Sequence, residues 1–203
     1  MADGPDPELF APEPEVTEEA PPPVPIKIVV GGGFGAGKTT AISTLSEIPP
    51  VTTEQALTDR SIGIDDISAV SGKTTTTVAM DFGRISVDDQ LMLYLFGTPG
   101  QSRFWFMWDD LSRGAVGAVV LLDLRRVRDC FAAIDYFEDR RIPFVIAVNR
   151  FPGAKPVADA EIREALALPG GCPIVGLDAR EERSCLDALV VLVQHALERS
   201  SAA

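Results

Sequence analysis

The stretch Gly32-Gly33-Phe34-Gly35-Ala36-Gly37-Lys38-Thr39 constrains this chain more than any other feature. It fits the pattern GxxxxGK[ST] and lies between an apolar run, Ile26 to Val30, and a helical stretch beginning near Lys38. That is the strand, loop and helix setting that a phosphate loop requires. Glycines let main-chain N–H groups wrap phosphate oxygens, and the helix start adds a favourable dipole. Lys38 reads as an exposed loop lysine that reaches the β and γ phosphates, and Thr39 as an Mg²⁺ ligand, with Thr40 beside it on the helix. A glycine-rich turn that binds nothing is the alternative. The lysine, the hydroxyl and the flanking elements together argue against it.

Downstream the pattern alternates. A long loop with a short helix is expected from residue 47 to about 76, where Pro49, Pro50, Gly63 and Gly72 interrupt any periodicity. Val78 to Val87 and Gln90 to Phe96 read as an antiparallel hairpin, with Asp88 and Asp89 as turn residues. Phe104, Met107, Trp108 and Leu111 follow helical spacing, Ala115 to Leu122 reads as a buried strand, and Val127, Cys130, Phe131, Ile134 and Phe137 mark another helix. A strand from Ile142 to Val148, a helix from Ile162 to Leu168 and a strand from Pro173 to Leu177 come next. A last helix spans Glu182 to Glu198, with Leu186, Leu189, Val190, Val193 and Leu197 facing inward. Such alternation implies an α/β fold with a mostly parallel sheet, helices on both faces and a site at the strand C-terminal ends.

Length allows one domain: 203 residues suit a single core with a tail. Residues 1–25 hold seven acidic residues, eight prolines and no basic residue, so they read as a disordered acidic tail. The folded domain is expected over 26–199, with 200–203 disordered. A net charge of -12 argues against a nucleic-acid surface. The three cysteines show no metal or disulfide spacing, no apolar run reaches membrane-spanning length, and neither a secretory signal nor a prenylation box is apparent. A cytoplasmic protein without its own membrane anchor is expected, any membrane association coming through partners.

Over nearly all of residues 26–199 the order of motifs resembles small Ras-like GTPases. The resemblance implies a six-stranded sheet with one antiparallel strand. Thr76-Thr77-Val78-Ala79-Met80-Asp81-Phe82 is similar to the first switch, which implies that Thr77 joins Thr39 on Mg²⁺, although any of Thr74 to Thr77 could take that place. Phe96-Gly97-Thr98-Pro99-Gly100-Gln101 is similar to the second switch, which implies that Gly100 senses the γ phosphate and Gln101 orients the attacking water. Lys38 and Gln101 are the catalytic candidates. Asn149-Arg150-Phe151-Pro152 resembles the family's NKxD, with Arg150 for the lysine and Pro152 for the aspartate. Asp178-Ala179-Arg180 resembles the last base loop, which implies that the Ala179 N–H faces a guanine carbonyl.

Two departures bear on turnover. Gly97 stands where the family has a metal-linked aspartate, so Mg²⁺ would need water or another carboxylate, and Phe34 puts a bulky ring inside the phosphate loop. The stretches KTTTTVAMDFGRI and LFGTPGQSRFWFMWDDL resemble the small GTPases of actinobacterial conservon operons, related to bacterial polarity GTPases. That resemblance implies GTP/GDP and Mg²⁺ as cofactors, and a roadblock-type regulatory protein with a sensor-kinase-like complex as partners. The expected activity is slow, partner-regulated GTP hydrolysis. The rivals are a P-loop ATPase or kinase, with Asp123 ending the run Ala118 to Leu122 as its metal-linked carboxylate, and a nucleotide-bound scaffold with negligible turnover. His195 is given no role, and Trp105, lying off the apolar stripe of its helix, is either a binding anchor or packed under a loop.

Overall fold

The computed structural model describes residues 21–49, 53–56, 75–78, 80–100 and 102–201. In chain order the elements are β1 (Val24–Gly32), α1 (Lys38–Leu45), β2 (Thr53–Ala56), β3 (Thr75–Val78), β4 (Phe82–Ser86), β5 (Leu91–Gly97), α2 (Trp108–Ser112), β6 (Gly117–Leu122), α3 (Phe131–Asp139), β7 (Phe144–Asn149), α4 (Asp159–Ala165), β8 (Ile174–Leu177) and α5 (Glu182–Ser201). Short 3₁₀ helices at Ser102–Met107 and Val127–Cys130 lead into α2 and α3.

Six strands form one sheet in the order β4-β5-β1-β6-β7-β8. Five are mutually parallel and β4 runs antiparallel to β5. The tight reversal between β4 and β5 is the reason for that one antiparallel pair: the Gln90 N–H donates to Asp88 Oδ1 at 2.7 Å, so the aspartate supplies turn chemistry as expected. β6 is buried at every position, as a central parallel strand covered on both faces must be.

Successive strand residues point to opposite faces and build two cores. Val30, Leu95, Val119, Leu121 and Val145 pack with Ile42 of α1 and Leu192 of α5. Val29, Val120, Leu122 and Ile146 pack with Ile134 and Phe137 of α3 and with Ile162 of α4 on the other side. The pairings Val30 with Gly97, Gly32 with Leu121, Leu122 with Val148 and Asn149 with Leu177 bring the strand C-terminal ends to one edge. The phosphate loop after β1, residues 98–100 after β5 and the loops after β7 and β8 leave from that edge.

Some boundaries move. Val24 and Pro25 already pair with Leu91 and Met92, so the described domain includes the last residues assigned to the tail, and α5 runs to Ser201 rather than ending before 200. Thr53–Ala56, expected in a loop, instead pairs antiparallel with Thr75–Val78 as a separate two-stranded sheet. Residues 1–20, 57–74 and 202–203 lie outside the described residues.

The inward face of α5 is also corrected. Its buried residues are Cys185, Ala188, Leu189, Leu192 and Ala196, whereas Val190 is 53% and Leu197 63% exposed. Small residues let the helix seat close to the sheet: a Cβ on Gly117 would lie 2.8 Å from Leu192 Cδ1. Counting large apolar side chains favoured the neighbouring stripe.

Candidate functional site

The phosphate loop follows β1 and ends at Gly37, which precedes α1 with φ of 106°. Only glycine adopts that backbone without strain, and a Cβ there would also lie 2.4 Å from Asn149 Nδ2. No side chain caps α1. Its first N–H groups have no partners within the helix, so they are available to an anion.

Lys38 is not the exposed loop lysine that its position suggested. It is only 7% exposed, and its Nζ donates to Gly32 O at 2.9 Å and Gly33 O at 2.7 Å. An ammonium has three protons, so the loop's own carbonyls hold it in place while one N–H remains for a phosphate oxygen. Burial lowers its pKa to about 8, against the opposing pull of the Asp81 carboxylate.

On the side of the loop expected to face the metal, the Thr39 hydroxyl donates to Asp81 Oδ2 at 2.8 Å. Asp81 was read only as part of a switch-like stretch. Gly100 lies against the loop: a Cβ there would be 2.9 Å from the Phe34 main chain and 3.1 Å from Lys38 Nζ. Gln101 lies outside the described residues. For Thr77 the description extends only to its backbone, opposite Glu54 in the small sheet.

Phe34 is 63% exposed, and its carbonyl accepts a hydrogen bond from Arg126 Nη2. A peptide's C=O and N–H point in opposite directions, so this bond turns the Gly35 N–H away from Arg126. Sequence reasoning gave Arg126 no role. It stands 92 positions from Phe34, and no spacing rule links the two.

The base side is organised by Asn149, which is 4% exposed. Its Nδ2 donates to Ala36 O at 2.9 Å, and its Oδ1 accepts from the Ala179 N–H at 3.1 Å. One side chain thus ties the phosphate loop to the last base loop. The Ala179 N–H, expected to face a guanine carbonyl, is engaged by Asn149 here, because the buried amide oxygen needs a donor. The Asp178 carboxylate accepts from Arg180 Nε at 2.8 Å and Nη2 at 2.7 Å, which holds its pKa down to about 2. Arg150 is exposed, with Nη2 3.2 Å from where a Cβ on Gly176 would stand.

Asp123 is likewise committed. Both its oxygens accept from Arg125, which keeps the carboxyl below its ordinary range, and the Arg125 guanidinium lies 3.9 Å from the Phe151 ring centroid. The hydroxyl of Thr39 is bound to Asp81 instead.

A family model described as a conserved hypothetical ATP-binding protein matches residues 30–199. The chain belongs to that family. An uncharacterized protein of Methanocaldococcus jannaschii is 32% identical over 127 residues, covering 62% of this chain and 70% of the relative. Among solved structures, the cytosolic domain of the T. maritima FeoB iron transporter in a GDP form matches with a TM-score of 0.61 and 15% identity over 87% of this chain. The family member described here spans 65% of that domain's length. The Arl6 BBS3 small GTPase from Trypanosoma brucei, with a bound nucleotide analogue, matches at a TM-score of 0.57 and 18% identity, covering 86% of this chain and 99% of the other. The fold is therefore that of the Ras-like GTPases, built around a phosphate loop.

A depression of about 660 Å³ is lined by Arg141, Phe144, Cys172 and His195, at the start of β7 and so at the opposite end of the sheet from the phosphate loop. Cys130, Cys172 and Cys185 are free and buried, with pKa values raised by desolvation to about 12, 11 and 11, which makes them poor nucleophiles. No helix among the described residues is long and apolar enough to cross a membrane. Among the described residues no group of three or more His, Cys, Asp or Glu is placed to hold a metal. The hard oxygen of Thr39 nevertheless fits Mg²⁺, an ion that keeps several waters and takes its remaining ligands from phosphates.

Proposed function

We propose that this chain is a guanine-nucleotide switch that binds GTP and GDP with Mg²⁺ and hydrolyses GTP slowly until a partner acts on it. The observation that carries this reading is the Asn149 clasp between Ala36 of the phosphate loop and Ala179 of the base loop. It couples the two halves of a nucleotide site through one buried side chain, and a P-loop domain with no base to recognise has no need of it. Lys38 and the first turn of α1 hold the phosphates. When bound, Mg²⁺ neutralises charge on the β and γ oxygens, with Thr39 as its ligand from the loop and Thr77 as the switch ligand. Gly100 reports on the γ phosphate, Gln101 orients water, and Arg150, Asp178 and Arg180 surround the base. The conservon-like stretches point to a cytoplasmic signalling role with a roadblock-type regulator and a sensor-kinase-like complex.

A second reading, adenine in place of guanine, is favoured by the family's description as ATP-binding and by Pro152, which has no carboxylate to accept from guanine. Competition of GTP and ATP against a bound fluorescent nucleotide separates the two. Tighter GTP supports the switch, and equal or tighter ATP replaces it with the ATPase reading. Turnover of the isolated protein is expected at or below roughly 10⁻³ s⁻¹. Several turnovers per second, unaffected by Gln101→Leu, would overturn the proposed mechanism.

A further inference from the structure

The position that ordinarily carries the metal-linked carboxylate in Ras-like proteins is Gly97, at the end of β5. The next strand over resolves what takes its place. The Gly97 N–H donates to Asp81 O at 2.8 Å, and Phe82 pairs with Phe96, so Asp81 sits directly beside Gly97 across the β4–β5 ladder. Its side chain turns toward α1, where it accepts the Thr39 hydroxyl at 2.8 Å. A Cβ on Gly97 would lie 2.9 Å from Asp81 Cβ and 3.1 Å from Asp81 Oδ2. The Asp81 side chain therefore occupies the space that a side chain at 97 would enter. One carboxylate position exists, and either strand could supply it.

The chemistry agrees with the geometry. A threonine that ligates a cation through an oxygen lone pair must direct its proton elsewhere, and an ionised carboxylate is a strong acceptor for it. The same carboxylate raises the pKa of Lys38 against the effect of burial, so its charge is felt at the phosphate site. Asp123, another acid near this edge, is held by Arg125 through both oxygens.

We propose that Asp81 is the metal-linked carboxylate of this nucleotide site, supplied from β4's side of the sheet in place of the second-switch aspartate. It acts as a positioning residue: it fixes the Thr39 oxygen and accepts from the water shell of the divalent ion. The proposal rests on the nucleotide-binding reading above.

The test is the release of N-methylanthraniloyl-labelled GDP and ADP, run in parallel, in excess Mg²⁺ and in excess EDTA. In the wild type Mg²⁺ slows release of whichever nucleotide binds. Asp81→Asn is expected to reduce that Mg²⁺-dependent slowing by about tenfold or more, the loss typical of removing an outer partner of a metal ligand. In EDTA the same variant should release nucleotide no faster than the wild type, because a negative charge has left the neighbourhood of the phosphates. That crossover separates metal positioning from a structural contact, whose loss would speed release in both conditions. Asp81→Glu, which keeps the charge, should restore part of the Mg²⁺ effect. A wild-type Mg²⁺ ratio in Asp81→Asn, or equal acceleration with and without Mg²⁺, overturns the proposal. Failure of the wild type to bind either probe would instead overturn the nucleotide reading itself.

Discussion

The buried ammonium of Lys38 makes nucleotide affinity dependent on pH in a calculable way. In the free protein it titrates at about 8, because burial disfavours its charged form. Phosphate binding requires that charge. The charged fraction is about three-quarters at pH 7.5 and about one-tenth at pH 9, so GDP affinity should fall about eightfold over that interval, or about 1.3 kcal/mol. The phosphates of GDP change charge little over the same range. The sign is fixed by linkage: a lysine whose pKa is lowered on folding makes the nucleotide-free protein more stable as pH rises from about 8 towards the ordinary lysine value, and ligand binding reverses this by taking a proton back up. Titration calorimetry at pH 9, in two buffers of different ionisation enthalpy, should report uptake approaching one proton. Lys38→Arg, permanently charged, should bind without that uptake. Equal GDP affinity at pH 7.5 and 9 with no buffer dependence would refute the argument, and with it the idea that the loop carbonyls of Gly32 and Gly33 hold a titrating ammonium.

Two further outcomes follow from the same edge of the sheet. Asn149→Ala strands the buried Ala36 carbonyl and Ala179 N–H, each costing about 1–3 kcal/mol, so urea unfolding should show a midpoint shift of matching size even without nucleotide; an unchanged midpoint would show that the clasp contributes nothing to the fold. Phe34→Gly removes the ring from the loop, and single-turnover GTP hydrolysis should rise above the wild-type value of roughly 10⁻³ s⁻¹ or less; a slower variant would mean that the ring helps order the site rather than crowding it.

Which parts of this molecule were legible in its sequence follows from the range of each interaction. The phosphate loop, the alternation of strands and helices, and the four buried positions Phe104, Met107, Trp108 and Leu111 are set by local spacing, and each appears where spacing placed it. The stripe on α5 was misread because the close fit of Ala188 and Leu192 against the sheet outweighs the size of Val190 and Leu197, and only the partner surface decides that. Lys38 looked exposed because the loop's carbonyls, which fold around it, belong to residues that themselves look like flexible glycines.

Asp81 is the instructive case. In the chain it is 42 residues from Thr39 and 16 from Gly97, inside a stretch whose threonines drew the attention. Its role depends on strand order, since β4 must pair with β5 in the register that sets Phe82 against Phe96 before its carboxylate can meet α1. A motif search reads one strand at a time and therefore finds a missing aspartate at 97. The sheet presents a carboxylate in the same place from the adjacent strand. A second consequence concerns Gly97 itself: restoring the familiar aspartate there would crowd two carboxylates into the space of one, where like charges oppose each other. Gly97→Asp should therefore weaken Mg²⁺-dependent nucleotide retention rather than improve it.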